Sequence, residues 1–137
     1  MQPFHLAFPI NDIESTRKFY GNMLGCDIGR ETERWIDFNF FGHQLSAHVN
    51  ADECKSRATC RVDGKDVPLR HFGIVLSWQD WEKLAERIKS ANLDFVIEPD
   101  IRYTGKPGEQ ATFFIKDPSG NGLEFKAFKD NSQIFAK

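Results

Sequence analysis

Residues 70–81 read RHFGIVLSWQDW, and residues 4–15 read FHLAFPINDIES. In each stretch a histidine enters a short apolar run. Six positions later a side-chain oxygen stands ready to cap a helix, Asn11 after His5 and Ser77 after His71. A single histidine in such a run is most often a hydrogen-bonded structural residue. Two at equivalent points of a repeated pattern ask for a second reading, an internal duplication whose strands share a task.

Working outward from the first stretch, residues 4–10 suit a buried strand, and Asn11 and Asp12 offer capping oxygens. Ile13, Phe19, Tyr20 and Leu24 recur at helical spacing, and Gly25 supplies a stop. A short strand over 26–30 follows, then an aromatic strand over 35–41, a turn at Gly42, and a return over 44–49. Outward from the second stretch, 72–76 is a strand. The pattern Ser77-x-x-Asp80 starts a helix carrying Trp78, Trp81, Leu84, Ala85 and Ile88 on one side. Strands are expected at 95–97, ending before Pro99, and at 111–115; after the turn DPSGN (117–121) comes a last strand over 122–128. Both halves read β-α-β-β-β, an α+β class built from a repeat. The expected organisation is one domain over 1–137, with a first module 1–50, a polar surface linker 51–68, a second module 69–128 and a tail 129–137.

The chain's 137 residues are 40% apolar and 28% charged, the composition of an ordinary globular domain. Thirteen Phe and three Trp suit sheet surfaces and an apolar pocket. A net charge of -2 with interspersed signs shows no footprint for nucleic acid or an anionic membrane, so neither is an expected partner. The N-terminal residues lack a signal-peptide pattern and no run reaches membrane-spanning length, so a cytoplasmic location is expected. Cys26, Cys54 and Cys60 form no CxxC pair and are read as reduced and incidental, although Cys54 and Cys60 share a loop and could pair if oxidised.

Alternation along 122–128 puts Leu123, Phe125 and Ala127 on one face and Glu124 and Lys126 on the other. A carboxylate in mid-strand is costly unless it is exposed, paired or bound to a cation. If the sheets curl so that their second faces line a shared cavity, His5, His71 and Glu124 form a two-histidine, one-carboxylate metal site. Such a donor set suits divalent Fe, Mn, Co, Ni or Zn and leaves positions open for substrate.

The paired β-α-β-β-β order, the helix IESTRKFYGNMLGC and the closing DPSGNGLEFK resemble the vicinal oxygen chelate superfamily, which includes glyoxalase I, extradiol dioxygenases and the bleomycin and fosfomycin resistance proteins. The resemblance runs from Phe4 to about Phe128, and its closing motif is the most specific part. It implies a cupped mixed sheet with helices on the outer face, a small-molecule substrate, a homodimer, and metal ligands at His5, His71 and Glu124. A fourth ligand position would fall among Gln44, Ser46 and His48, and none of these is a carboxylate. Glyoxalase I-like isomerases use a glutamate there. The resemblance therefore favours extradiol dioxygenase-like chemistry with Fe or Mn, ahead of a glyoxalase I-like isomerase or lyase using Zn, Ni or Co, or a non-catalytic small-molecule-binding resistance protein.

Around that set, His48 is a fourth ligand, a general acid/base or a residue that hydrogen-bonds within the sheet. Tyr103 is a proton or hydrogen-bond donor, and Arg102 a holder of an anionic substrate, both read as parts of a glycine-rich lid over 102–110. Lys106 is read as solvated and His43 as solvent-facing. Trp35, Phe38 and Phe40 are read mainly as core, and Trp78 and Trp81 as helix packing.

Overall fold

The computed structural model describes residues 2–56 and 58–136. The chain divides into two compact units, Met1–Arg57 with Asp117–Asn121, and Ala58–Lys116 with Gly122–Lys137.

In the first unit, β1 (His5–Ile10), β2 (Asp27–Glu31), β3 (Trp35–Phe40) and β4 (His43–Val49) form a sheet of order β1-β4-β3-β2. β1 runs parallel to β4, and the other pairs are antiparallel. Helix α1 (Ile13–Arg17) passes directly into a π-helical turn, Lys18–Met23, so the expected helix to Leu24 is present with a wider last turn. Its cap is Asp12 rather than Asn11; the Asp12 carboxylate accepts from Ser15 N at 2.8 Å. The six-residue spacing of the second copy is thus seven in the first. Phe8, Ile10, Tyr20, Ile36, Phe38, Leu45 and Ala47 form the buried side, with the Tyr20 ring tilted against those of Phe8 and Phe38, centroids 5.6 Å and 5.0 Å away.

The turn 117–121 belongs to this unit because its polar atoms are satisfied there. Tyr20 donates its hydroxyl to Asp117 Oδ2 at 3.0 Å, Asn121 Nδ2 donates to Pro9 O at 2.8 Å, and Asn11 N donates to Ser119 Oγ at 2.8 Å. Asp117 also accepts from Ser119 N and Asn121 N. Every donor around it is used, as burial of a carboxylate demands.

In the second unit, β7 (His71–Leu76), β8 (Phe95–Arg102), β9 (Gln110–Lys116) and β10 (Gly122–Phe128) repeat the order as β7-β10-β9-β8, again with one parallel pair. Ser77 caps α2 (Trp78–Ser90) by accepting from Asp80 N. Trp81, Leu84 and Ile88 bury one side of that helix, and Trp81 donates its indole N–H to Phe125 O at 2.9 Å. Strand pairing sets Phe125 beside Phe113 and Leu123 beside Ile115, all fully buried.

The α+β class and the duplicated topology match the reading of the sequence, with local differences. β8 runs on through Pro99 to Arg102 because it is the edge strand, where a missing N–H costs no ladder bond. Where an irregular linker is expected, the chain forms a short 3-10 turn, Glu53–Lys55, and a hairpin, β5 (Thr59–Val62) and β6 (Lys65–Pro68). Asp63 and Gly64, both at positive φ, make the tight turn that matches strand twist. The hairpin is not purely a surface element, since Val67 packs with Ile97 and Phe114. Cys60 is exposed, and Cys26 and Cys54 are buried, the Cys26 thiol pushed up to about 12 by desolvation.

Burial raises the Asp117 carboxyl above its ordinary value of 3.8, against the opposing hydrogen bonds from Asn121, Tyr20 and Ser119. The folded chain therefore holds this proton more tightly than the unfolded chain, and the Asp117 contribution to stability falls as pH rises from 3.8 through the folded value. Urea unfolding across that window is expected to show the stability advantage of wild type over Asp117→Asn shrinking with rising pH and levelling off above it.

Candidate metal centre

The pleat of β10 turns Leu123, Phe125 and Ala127 into the core and sends Glu124 and Lys126 to the opposite face. Beside Glu124 on that face stands His71, the first residue of β7, with Nε2 at 3.3 Å from Glu124 Oε2. His71 Nδ1 lies 2.6 Å from the Pro68 carbonyl oxygen. That oxygen only accepts, so Nδ1 carries a hydrogen, and Nε2 is the ring atom turned to the carboxylate. Thr112 donates its hydroxyl to Glu124 Oε1 at 2.8 Å, and Lys126 Nζ lies 3.5 Å from the same oxygen. One oxygen is held by Thr112 and Lys126 while the other faces Nε2. A proton or a cation between Nε2 and Oε2 satisfies the pair, and imidazole plus carboxylate is a donor set that fits a divalent transition metal.

These groups line a cavity of about 340 Å³ in the second unit. Val62, Val67, Ile97 and Phe114 give it apolar walls, and Arg102, Lys65 and Lys126 bring cationic groups. Lys65 pairs with Asp100 at 3.1 Å, and Arg102 pairs with Asp63. Phe114 also meets the His71 ring edge-on, with centroids 5.1 Å apart, which limits how the imidazole can turn.

The other expected site residues are placed as follows. His5 opens β1 of the first unit, exposed, with Nδ1 3.0 Å from Gln44 Oε1. Among the described residues, no group of three or more His, Cys, Asp or Glu stands close enough to hold a metal. His48 is exposed on β4, its ring 6.5 Å from that of Trp35. Arg102 is held by the end of β8, paired with Gln110 across the sheet, and so is fixed by a strand rather than by a lid. Its guanidinium donates to the Tyr103 hydroxyl at 3.2 Å and lies 5.2 Å from that ring. This hydrogen bond, and then the charge itself, holds the exposed Tyr103 phenol below its ordinary pKa. Tyr103 has φ of 57°, a left-handed backbone that is uncommon for an aromatic residue. Residues 103–109 close on themselves, Gly105 N donating to Glu109 Oε2 at 2.7 Å. His43 is not simply solvent-facing: its Nδ1 accepts from Phe4 N at 2.9 Å, which ties the approach to β1 onto β4.

Strand register gives the β4 counterpart of Glu124. Ala7 pairs with Ser46 as Gly73 pairs with Glu124, so Ser46 is the counterpart of Glu124. Four contributors escape a reading by motif. Asp37 is a buried carboxylate that accepts from Ser46 Oγ at 2.5 Å; its signal was the alternation Ile36, Phe38, Phe40, which leaves Asp37 on the other face. Thr112 and Pro68 act through an oxygen atom each and have no motif. Gly122 matters by what it lacks, because a Cβ there would lie 2.8 Å from Pro68 Cβ and 3.3 Å from His71 Cβ.

A sequence model described as Glyoxalase/Bleomycin resistance protein/Dioxygenase superfamily matches residues 2–125. The chain is 33% identical to a glyoxalase/bleomycin resistance protein/dioxygenase from Alicyclobacillus acidocaldarius whose crystal structure covers 98% of this chain and 96% of its own, with a TM-score of 0.78. It is 23% identical over 124 residues to Virulence protein STM3117 of Salmonella typhimurium, a match that takes in 90% of this chain and 82% of that protein. The genomically encoded fosfomycin resistance protein FosX of Listeria monocytogenes is 15% identical over 97% of each chain with a TM-score of 0.71, a likeness of fold alone.

The close packing around the pair can be tested with glycine substitutions. A Cβ on Gly73 would run into the Glu124 backbone carbonyl, which cannot yield, whereas a Cβ on Gly122 meets side-chain atoms of Pro68 and His71. In urea unfolding, Gly122→Ala is expected to cost about 1–3 kcal/mol, the usual range for overpacking, and Gly73→Ala more. Equal costs would show that the Glu124 backbone moves freely.

Proposed function

Because the chain belongs to the Glyoxalase/Bleomycin resistance protein/Dioxygenase superfamily, we propose that it is a metal-dependent enzyme acting on a small organic substrate with vicinal oxygens, with extradiol dioxygenase-like chemistry ahead of the isomerase or lyase type. The observation that carries this reading is the His71–Glu124 pair, with Nε2 facing Oε2 at 3.3 Å while the remaining polar atoms of both side chains are tied to Pro68, Thr112 and Lys126. Second atoms held in this way fix the orientation that a ligand pair requires.

In this reading His71 Nε2 and Glu124 Oε2 are two ligands of a divalent cation, Fe(II) or Mn(II) ahead of Zn, Ni or Co. His5 is read as the third. The cation would supply Lewis acidity to paired substrate oxygens and, for Fe or Mn, a site for dioxygen. The chain's own residues do the rest. Thr112 and Lys126 keep Glu124 from rotating, and the Phe114, Val67 and Ile97 walls exclude water from the apolar body of the substrate. Arg102 and Lys126 hold negative charge on the substrate, and Arg102 can exchange its Asp63 partner for a substrate anion. Tyr103, its phenol made more acidic by Arg102, is assigned the proton transfer. His48 is the alternative proton carrier. Ser46 at the position equivalent to Glu124 favours the dioxygenase type, because the isomerase type resembled in sequence needs a carboxylate there.

The superfamily's name also includes drug-binding resistance proteins, and metal dependence separates the two readings. Anaerobic reconstitution with each metal, followed by a screen against catechols and 2-oxoaldehyde adducts, is expected to give turnover with Fe(II) or Mn(II) only when O2 is admitted. His71→Ala and Glu124→Gln should each weaken Mn(II) binding by at least the roughly 10–100-fold that loss of an outer partner costs. Turnover with Ni or Zn without O2 would select the isomerase type. Wild type that binds no metal, with ligand binding unchanged in His71→Ala, would sink the enzyme reading.

A further inference from the structure

The first unit contains a hydrogen-bonded relay that ends on His5. Ser46 Oγ donates to Asp37 Oδ1 at 2.5 Å, Gln44 Nε2 donates to Asp37 Oδ2 at 3.3 Å, and Gln44 Oε1 lies 3.0 Å from His5 Nδ1. The buried Asp37 decides the direction of the whole relay. A carboxylate only accepts, so Gln44 turns its NH2 group to Asp37 and its carbonyl oxygen to His5. That oxygen in turn only accepts, so His5 Nδ1 carries the hydrogen and Nε2 is left with the lone pair.

We infer that Asp37 and Gln44 are positioning residues that lock His5 in the tautomer able to ligate a cation through Nε2. The inference rests on the reading of His5 as a ligand given under Proposed function. It does not rest on any contact between the two units.

Two further observations support it. First, a carboxylate that is 7% exposed is an expensive way to hold together a sheet face, because its desolvation must be offset by donors, here Ser46 and Gln44. The placement is crowded as well: a Cβ on Gly29 would lie 3.2 Å from Asp37 Cβ. Second, the other copy of the repeat reaches the same ring state with different atoms. His5 pairs across the strands with Gln44, and His71 with Gly122. At the position where the first unit has an amide side chain, the second has none. Pro68 packs into that space and offers its carbonyl to His71 Nδ1 at 2.6 Å. Both histidines thus have Nδ1 engaged by an oxygen that only accepts, at a point where the sequences of the two copies differ.

The test uses the full chain, uniformly 15N-labelled and metal-free, at about pH 8.5, alkaline of the ordinary imidazole value. Long-range 1H–15N correlation spectra report which ring nitrogen of each histidine carries hydrogen. His5 is expected in the Nδ1–H form in wild type, and to shift toward the Nε2–H form that free imidazole prefers in Gln44→Leu. Gln44→Glu combined with Asp37→Asn keeps a donor facing residue 44 and an acceptor facing His5, and should restore the wild-type signature. Mn(II) binding followed by electron paramagnetic resonance should weaken about 10–100-fold in Gln44→Leu and recover in the double variant.

Nε2–H on His5 in wild type would overturn the inference whether or not any variant folds, as would an unchanged signature in Gln44→Leu. If the tautomer shifts and His71→Ala weakens Mn(II) binding while Gln44→Leu does not, the relay does not serve a ligand and the inference falls alone. If neither variant changes Mn(II) binding, the metal reading falls and the inference with it, even where the tautomer lock itself is seen.

Discussion

A strand with one face in the core has no choice about where its alternate residues go, and the second unit depends on that constraint in β10. Leu123, Phe125 and Ala127 are fully buried, and Trp81 is hydrogen-bonded to the Phe125 carbonyl, so the strand's rotation is fixed from the core side. A slip of one residue would drive Glu124 and Lys126 into the packing against Phe113 and Ile115. The position of the carboxylate is therefore set by hydrophobic packing on the opposite face. His71, at the end of the neighbouring strand, meets it as a consequence of register.

The turn before β10 adds a second restraint. Asp117 collects hydrogen bonds from Tyr20, Ser119 and Asn121, and Asn121 reaches back to Pro9. Buried polar networks of this kind specify one arrangement, since every partner must be present at once for the burial of the charge to be tolerable. The residue that follows Asn121 is Gly122, where the lack of a side chain lets Pro68 hold His71. Anchor, clearance and carboxylate thus follow one another within eight residues, 117–124.

The duplicated topology was legible because apolar periodicity and helix caps are local signals, and both copies carry them. The cap moved from Asn11 to Asp12 because two adjacent residues could each supply the oxygen, and only the backbone angle of the chain decides between them. Pro99 was a misleading stop: its cost depends on whether a strand lies on an edge, which is a property of the sheet. His71 and Glu124 could be paired from alternation and the repeat. Thr112, Pro68 and Asp37 could not, because their roles depend on single oxygen atoms brought close by tertiary register.

Register also shows how the copies have diverged. Ser46 stands where the second unit has Glu124, and Asp37, its partner on β3, stands where the second unit has Phe114. In one copy the carboxylate is on the strand next to the histidine and an aromatic ring lies beyond it. In the other the order is reversed, with a hydroxyl next to the histidine strand and the carboxylate beyond, satisfied by that hydroxyl and by Gln44. Asp37 has a donor on each oxygen and so is suited to orienting its neighbours, whereas Glu124 has its donors on Oε1 and leaves Oε2 to face the His71 nitrogen. The two sheets keep the same strand order and register, and the exchange of an acid between adjacent strands is enough to give each histidine a different set of neighbours.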